Sequence, residues 1–540
     1  MSIIRVIEPR CDIRSDVEQN HVVLGGSQRV TQQILSADSS QLLPAPPSTS
    51  QWSITPPSNQ TIVDRKIMVR HYIQVDATGG AFEVGTNDSL RQFPVSSLID
   101  VTTVEINGES VSDQTGDKLH ALLCYGNNGS DRTKSVSVAP AMPDAYQDYN
   151  DWTLYGTGKC PLKEYGESSY EDGRGGFPVA ETVGALIRRY VVTEPLWISP
   201  MYQGFGHQTE GFVNINQLNI SLRYKSDTSR VWSHASSGQP ITNVTCKFYR
   251  APEVLITYLT PDSLQPIPDV QVLPYSKPQQ YIKNAGTVAP GDTTTLYSDS
   301  VRLSQIPRAL YLFVRHDQPS STFAVPDSFL SIEGVSVNWN NESGLLASAT
   351  QQDLFEMSSR NGLNLSWSGF SKYRGSVLCL EFGKDIGLPD SQAPGVQGSF
   401  TIQVNLTCRN TGTSNFSGDF YMVTLNEGTF SIAQNSARAS IGNFSPEMIL
   451  KATQAPHMSD YHYRSLHGGG FFTSLKNVLG SVAHGVSKLA PIAQSVSEKF
   501  APELSPLVSQ VGDVASASAR LLGKGGGRGG RLIGGSLRRR

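Results

Sequence analysis

The sequence predicts an all-β protein: two tandem β-sandwiches with short inserted helices, an extended N-terminal arm, and an amphipathic and basic C-terminal tail. Three observations point there. Residues 97–107 and 328–338 carry one pattern twice, 231 positions apart. Leu98 matches Phe329, Ile99 Leu330, Val101 Ile332, Val104 Val335 and Ile106 Val337, and Asn107 and Asn338 close the two runs. A strand, helix and turn repeated in that order mark two copies of one domain. Elsewhere apolar and polar residues alternate, as at Phe400, Ile402, Val404, Leu406 and Cys408, the period of a half-buried strand. Composition agrees: Gly (49) and Pro (31) suit many strands joined by turns, and charged, Ala-rich helical sequence is scarce before residue 471.

Residues 1–57 read as the arm. Ser, Gln and Pro dominate residues 36–57, and such a segment cannot bury enough apolar surface to fold alone. The first sandwich is expected over 58–260. Val63–Val75 reads as a strand, and the first repeat strand follows, then a short helix at Asp117–Tyr125 leading into Asn128-Gly129. Residues 126–185, rich in Gly, Asp and Tyr, are long for a connection and suit a functional excursion or a surface tower. Strands resume at Tyr190–Ile198, Phe212–Arg223 and Cys246–Leu259. Pro261 and Pro266-Ile267-Pro268 then break the chain.

The second sandwich is expected over 261–450. Pro307–Arg315 reads as a buried strand with charged ends. The second repeat strand follows, then a helix at Gln351–Ser359 running into Asn361-Gly362. Strands at Ser376–Phe382, Ser399–Cys408, Phe420–Leu425 and Gly428–Ile432 complete it. Many short strands with polar turns indicate sandwiches, not a parallel α/β sheet.

Beyond a Gly-rich linker at 451–470 the sequence changes character. Over 471–519, Phe471, Phe472, Leu475, Val478, Leu479, Val482, Val486 and Leu489 recur every three or four residues and form one stripe of a helix. That helix could pack on the sandwiches, or lay Phe471, Phe472 and Leu475 into a bilayer surface or a neighbouring subunit. Residues 520–540 form a Gly/Arg-rich tail expected to be disordered when free. It holds seven cationic residues and no acid, which leaves residues 1–519 at −10 (the overall −3 less +7). An acidic body with a cationic end points to an anionic partner. Arg528, Arg531, Arg538, Arg539 and Arg540 are the candidates for phosphate contact through counterion release, against a tail that is merely solvated.

Catalytic and metal signatures are missing from the sequence. No His is followed by Glu, so there is no HExxH, and each Gly-Lys precedes Cys160, Asp385 or Gly525, so there is no P-loop. Gly525–Gly530 fits G-x-G-x-x-G in form, but no strand precedes it and no helix follows. His457, His462 and His467 cluster without carboxylate or Cys support, so no metal site and no cofactor is expected. Loop acids such as Asp148/Asp151 and Glu164/Glu167 could serve a glycosidase only if they converged in space. The six cysteines show no CxxC spacing, and Cys124, Cys379 and Cys408 sit in apolar runs as buried free thiols. The N-terminus has no apolar signal segment, Ser2 rules out myristoylation, and no apolar run reaches 18 residues.

Two sandwiches in one chain, each with a helix after the same strand pattern, resemble the double jelly-roll major capsid proteins of DNA viruses, the adenovirus/polinton-like lineage in the broad sense. The residues carrying this are 97–107 and 328–338, Ile306-Pro307-Arg308 leading into Leu310–Val314, and Gly395–Phe400 leading into the alternating strand; the resemblance spans about 58–450. It implies two tandem eight-stranded jelly rolls, three chains in a pseudo-hexameric capsomer, and many capsomers in an icosahedral shell. Partners would be the chain itself, other capsid proteins such as a penton, and viral nucleic acid or an internal membrane at the tail. The chain would sit in the virion, and in the host cell during assembly. Leu466-His467-Gly468-Gly469-Gly470 and Leu532-Ile533-Gly534-Gly535-Ser536 also resemble sites cut by adenovirus-type maturation proteases, with Gly469, Gly470, Gly535 and Ser536 at the cuts. Major capsid proteins of that family usually lack such an appendage. Two other interpretations stay open: a tandem jelly-roll carbohydrate-binding or glycan-cleaving protein, and a single-jelly-roll RNA-virus capsid protein with a projecting domain.

Overall fold

The computed structural model describes residues 28–35, 48–58, 61–82, 88–91, 93–125, 180–184, 186–201, 211–234, 240–260, 268–325, 327–389, 392–442 and 444–445. These all belong to one compact unit. The first half holds β1 (Gln28–Leu35), β2 (Thr49–Ile54), β3 (Ile62–Val63), β4 (Met68–Thr78), β5 (Asp88–Leu90), β6 (Ile99–Ile106), β7 (Glu109–Asp113), β8 (Ala180–Gly184), β9 (Ile187–Pro195), β10 (Leu218–Tyr224), β11 (Trp232–His234) and β12 (Asn243–Thr260). The second half holds β13 (Val270–Val288), β14 (Thr293–Tyr297), β15 (Val301–Gln305), β16 (Ala309–His316), β17 (Ser331–Trp339), β18 (Glu342–Leu345), β19 (Val377–Glu381), β20 (Gln397–Arg409), β21 (Phe416–Ala433) and β22 (Ser436–Ile441). The α-helices are α1 (Pro94–Leu98), α2 (Thr115–Leu122) and α3 (Gln351–Arg360).

Strand order shows the duplication. In the first half the sheets run β1-β12-β4-β9 (with β8 added at the edge) and β2-β10-β6-β7. In the second they run β13-β21-β16-β19 and β14-β20-β17-β18. Equating the strands pair by pair makes the two orders coincide. Each half is therefore two antiparallel four-stranded sheets, an eight-stranded jelly roll. The single-jelly-roll interpretation fails on this point. Extra pieces decorate the frame: β3 on β12, a β5–β11 ribbon, β15 on β20, and β22 on β21.

The repeat strands become β6 and β17, at equivalent positions beside β10 and β20. Three local differences from the sequence reading have physical causes. Ser97 and Leu98 end helix α1 instead of starting a strand. Pro94 opens that helix with its fixed φ, and the carboxylate of Glu194, distant in sequence, accepts the Val95 and Ser96 amides at 3.0 and 2.6 Å. The β6–β7 turn is Asn107-Gly108, both at positive φ, the signature of a tight two-residue hairpin. In the second copy the strand runs on past Asn338 to Trp339, and Asn340 at φ 51° makes the turn. The first helix covers Thr115–Leu122 and stops short of Tyr125.

Other boundaries also moved. β1 and β2 lie within the stretch read as an extended arm. Their polar side chains hide the signal, and pairing with β12 and β10 supplies the backbone bonds they need. Ala180–Gly184, read as part of a long loop, pairs with β9. Phe420–Leu425 and Gly428–Ile432 are one continuous strand, β21. Residues 126–179 and 446–540 lie outside the described residues, and so does the turn at Asn128-Gly129.

Packing follows the alternation. Along β20, Phe400, Ile402, Val404, Leu406 and Cys408 are all buried, while the residues between face outward. β16 differs: Ala309 through Arg315 is buried without a break. One of its faces packs a cluster with Ala121, Cys124 and Tyr125 from the end of α2, so first-half residues cover it. Each such aliphatic or aromatic side chain stabilises the fold by about 1.5–3 kcal/mol on burial. Cys124, Cys246, Cys379 and Cys408 are free and buried, and burial pushes the Cys379 thiol up to about 12, so it stays protonated and unreactive.

Candidate functional site: the junction of the two jelly rolls

A cluster of buried polar residues lies where one jelly roll meets the other. At its centre is Asp327, in the segment leading into β17. Arg230, from a short turn before β11, donates to Asp327 Oδ1. Arg91, beside β5, stands 3.6 Å from Asp327 Oδ2, and Arg315, at the end of β16, stands 3.6 Å from Oδ1. Arg91 and Arg230 belong to the first jelly roll; Arg315 and Asp327 belong to the second. Burial alone would raise the Asp327 pKa, but Arg230, His120 and Arg91 outweigh it and hold the carboxyl well below its usual range.

His120, on α2, also lies 3.6 Å from Asp327. Burial, reinforced by Arg230, Arg374 and Arg91, depresses its pKa to about 4 in spite of Asp327. It is therefore neutral at pH 7, and the contact is not an ion pair there. His316, stacked on Phe416, is likewise depressed to about 4 by burial.

Hydrogen bonds extend the junction beyond this cluster. Arg91 Nε donates to Trp232 O at 2.7 Å, and its Nη2 donates to Thr322 O at 3.0 Å across the junction. Arg315 donates to the Asp117 carbonyl of α2, and Tyr125 Oη donates to Val377 O. The hairpin residue Asn107 donates to Asn214 O at 2.7 Å and to Ala433 O at 3.1 Å. Asn214 donates to Pro268 O at 2.7 Å, and Gln271 Nε2 donates to Gly211 O at 2.7 Å. A junction bonded at so many points joins the two halves as one body, because separating them would strand buried charges and amides.

A second polar feature is Glu194, whose pKa burial raises to about 7 against the Ser96 and Val95 bonds. It caps α1 and borders a void of about 10 Å³ that no other carboxylate lines. The wider cleft at the junction, about 50 Å³, has Asp113 as its one acidic lining residue. Asp113 is paired with Lys118. Neither place brings together two carboxyls of the kind glycoside cleavage uses.

Phe471, Phe472, Leu475, Val478, Leu479, Arg528, Arg531, Arg538, Arg539, Arg540, Gly469, Gly470, Gly535 and Ser536 all lie outside the described residues, as do His457, His462 and His467. Sequence reasoning missed Asp327, Arg91 and Arg230. The one available signal was Arg315, a charge closing an apolar strand. Among the described residues no group of His, Cys, Asp or Glu is placed to hold a metal ion, and no helix is long and apolar enough to cross a membrane.

Known proteins agree with this architecture. Residues 4–253 match the family described as Sputnik virophage major capsid protein 1st domain. Residues 276–374 and 371–428 match Major capsid protein V20 C-terminal domain. The putative capsid protein V20 of Sputnik virophage is 30% identical over 587 aligned positions, covering 99% of this chain and 96% of that protein. The chain belongs to the Sputnik virophage major capsid protein family. The Sputnik virophage structure by cryo-EM superposes with a TM-score of 0.72 at 28% identity, covering 85% of this chain and 96% of its counterpart. The mavirus major capsid protein superposes with a TM-score of 0.65 at 14% identity, over 82% and 95% of the two chains, and that likeness shows the shared fold. Membership in this family makes the chain a structural protein of the virion.

Proposed function

We propose that three copies of the chain form a pseudo-hexameric capsomer, and that capsomers tile an icosahedral shell with other capsid proteins such as a penton. One observation carries this reading. Two jelly rolls of identical strand order are joined by a buried, bonded junction, so the described body of each chain is one brick built of two like halves. Three such bricks around an axis present six similar sandwiches. The work of such a protein is geometric, and no residue is assigned a catalytic role. Negative-stain imaging of the expressed full chain tests this: particles of hexagonal profile are expected, and compact monomers at high concentration overturn it.

The tail completes the proposal. Arg528, Arg531, Arg538, Arg539 and Arg540 contact nucleic-acid phosphates, and Phe471, Phe472, Leu475, Val478 and Leu479 lie on a membrane or a neighbouring subunit. The supporting observation is charge: seven cations against a body of −10. Cleavage after Gly469-Gly470 or at Gly535-Ser536 would release this segment during maturation. Mass spectrometry of purified particles decides it, since a capsid chain retaining Arg540 rules out processing.

A further inference from the structure

Beside the Asp327 cluster is a partly open void of about 10 Å³, lined by His120, Arg230, Arg315, His316, Ser321, Asp327, Ser328 and Phe329. That is about the room one water-sized guest needs. Two of its lining groups have unused hydrogen-bond capacity: Arg230 Nε and Ser328 Oγ are both buried without an acceptor. Arg230 is 8% exposed and Ser328 2%. An unmet guanidinium N–H in the interior is costly, so the pair calls for an acceptor in the space between them.

The local charge sets the sign of that acceptor. Arg230 and Arg315 both turn to the single carboxylate of Asp327 in the ion pairs they make. Arg230 Nη2 and Arg315 Nη2 meet Oδ1, while Arg91 and His120 face Oδ2. Asp327 lies on the void and opposes an anion there, but its oxygens are already engaged. Both histidines are neutral at pH 7 and contribute no charge, because burial depresses their pKa values. Asp117 and Asp317 are half-buried, and Asp117 is already paired with Lys225.

We propose that this void seats one chloride-sized monovalent anion, held by the Arg230 Nε–H and the Ser328 hydroxyl at the seam between the two jelly rolls. Its role is to complete the junction, since it balances a guanidinium that bonds across the seam. The site makes junction stability depend on halide concentration.

Two measurements on the full chain test this. Crystals grown in sodium bromide should show an anomalous peak within hydrogen-bond reach of Arg230 Nε and Ser328 Oγ; a water there with no bromide signal overturns the proposal. Thermal melting at constant ionic strength, with chloride exchanged for gluconate, should rise saturably with chloride. Ser328→Ala folds with no added bulk and should need about fivefold more chloride for the same rise, the loss of roughly one hydrogen bond. An identical chloride dependence in wild type and Ser328→Ala also overturns it.

Discussion

Asp327 is the residue on which the junction turns. Its carboxylate is the shared acceptor for Arg230, Arg91 and Arg315. Asp327→Asn keeps the shape and removes the charge, leaving buried guanidiniums without their counter-ion. The expected loss is about 3–5 kcal/mol, read from chemical denaturation of the purified chain. The histidines around it set the response to acid. The folded-state pKa values of His120 and His316 are about 4, below the unfolded value of 6.5. The unfolded chain therefore binds more protons between those limits, and stability falls as pH drops from about 6.5 to about 4, by on the order of 3 kcal/mol for each histidine. Glu194 acts in the opposite sense. Its folded pKa is raised to about 7, so its contribution is present below 4.5 and is lost as pH rises through 7. Melting curves from pH 4 to 8 should show both limbs, and His316→Gln should flatten the acid one.

Among the elements, α3 was the most legible. Thr350 caps it and Asp353 closes the capping box, a pattern written within four residues. Thr350→Ala should cost about 1 kcal/mol in the melting free energy. Strands with one buried face, such as β20, were legible for the same reason: alternation is local and each residue records the face it occupies. β13 was not. Along most of its 19 residues its side chains are exposed or half-buried, so little apolar rhythm marks it beyond Leu273 and Tyr275, and its longest support is the pairing with β21. Helix α1 was misread because its first amides are satisfied by Glu194, 98 or more residues away. Gly375 is another position where the neighbour decides. At φ 84° a Cβ there would sit 1.9 Å from the Phe329 carbonyl oxygen. Gly375→Ala should destabilise by roughly 3 kcal/mol or more, measured by denaturant midpoint.

At the scale of the whole molecule, the two jelly rolls and the tail separate cleanly by character. Truncation after Gly470 should leave trimers intact by analytical ultracentrifugation and weaken binding to nucleic acid or to anionic vesicles. If the truncated chain no longer forms trimers, the segment is part of the fold, and the assignment of its Arg and Phe residues to outside partners fails. The sequence by itself determined that there are two sandwiches, in what order, and that a tail of different chemistry follows. Hydrophobic period, turn residues and net charge are properties of neighbouring positions, so one strand of text carries them. Only the tertiary structure decided how the halves are joined. Arg91, Arg230, Arg315 and Asp327 come from four separate segments. Their bond exists because burial removes the water that would otherwise solvate each of them, and burial is set by the packed molecule, not by any stretch of chain.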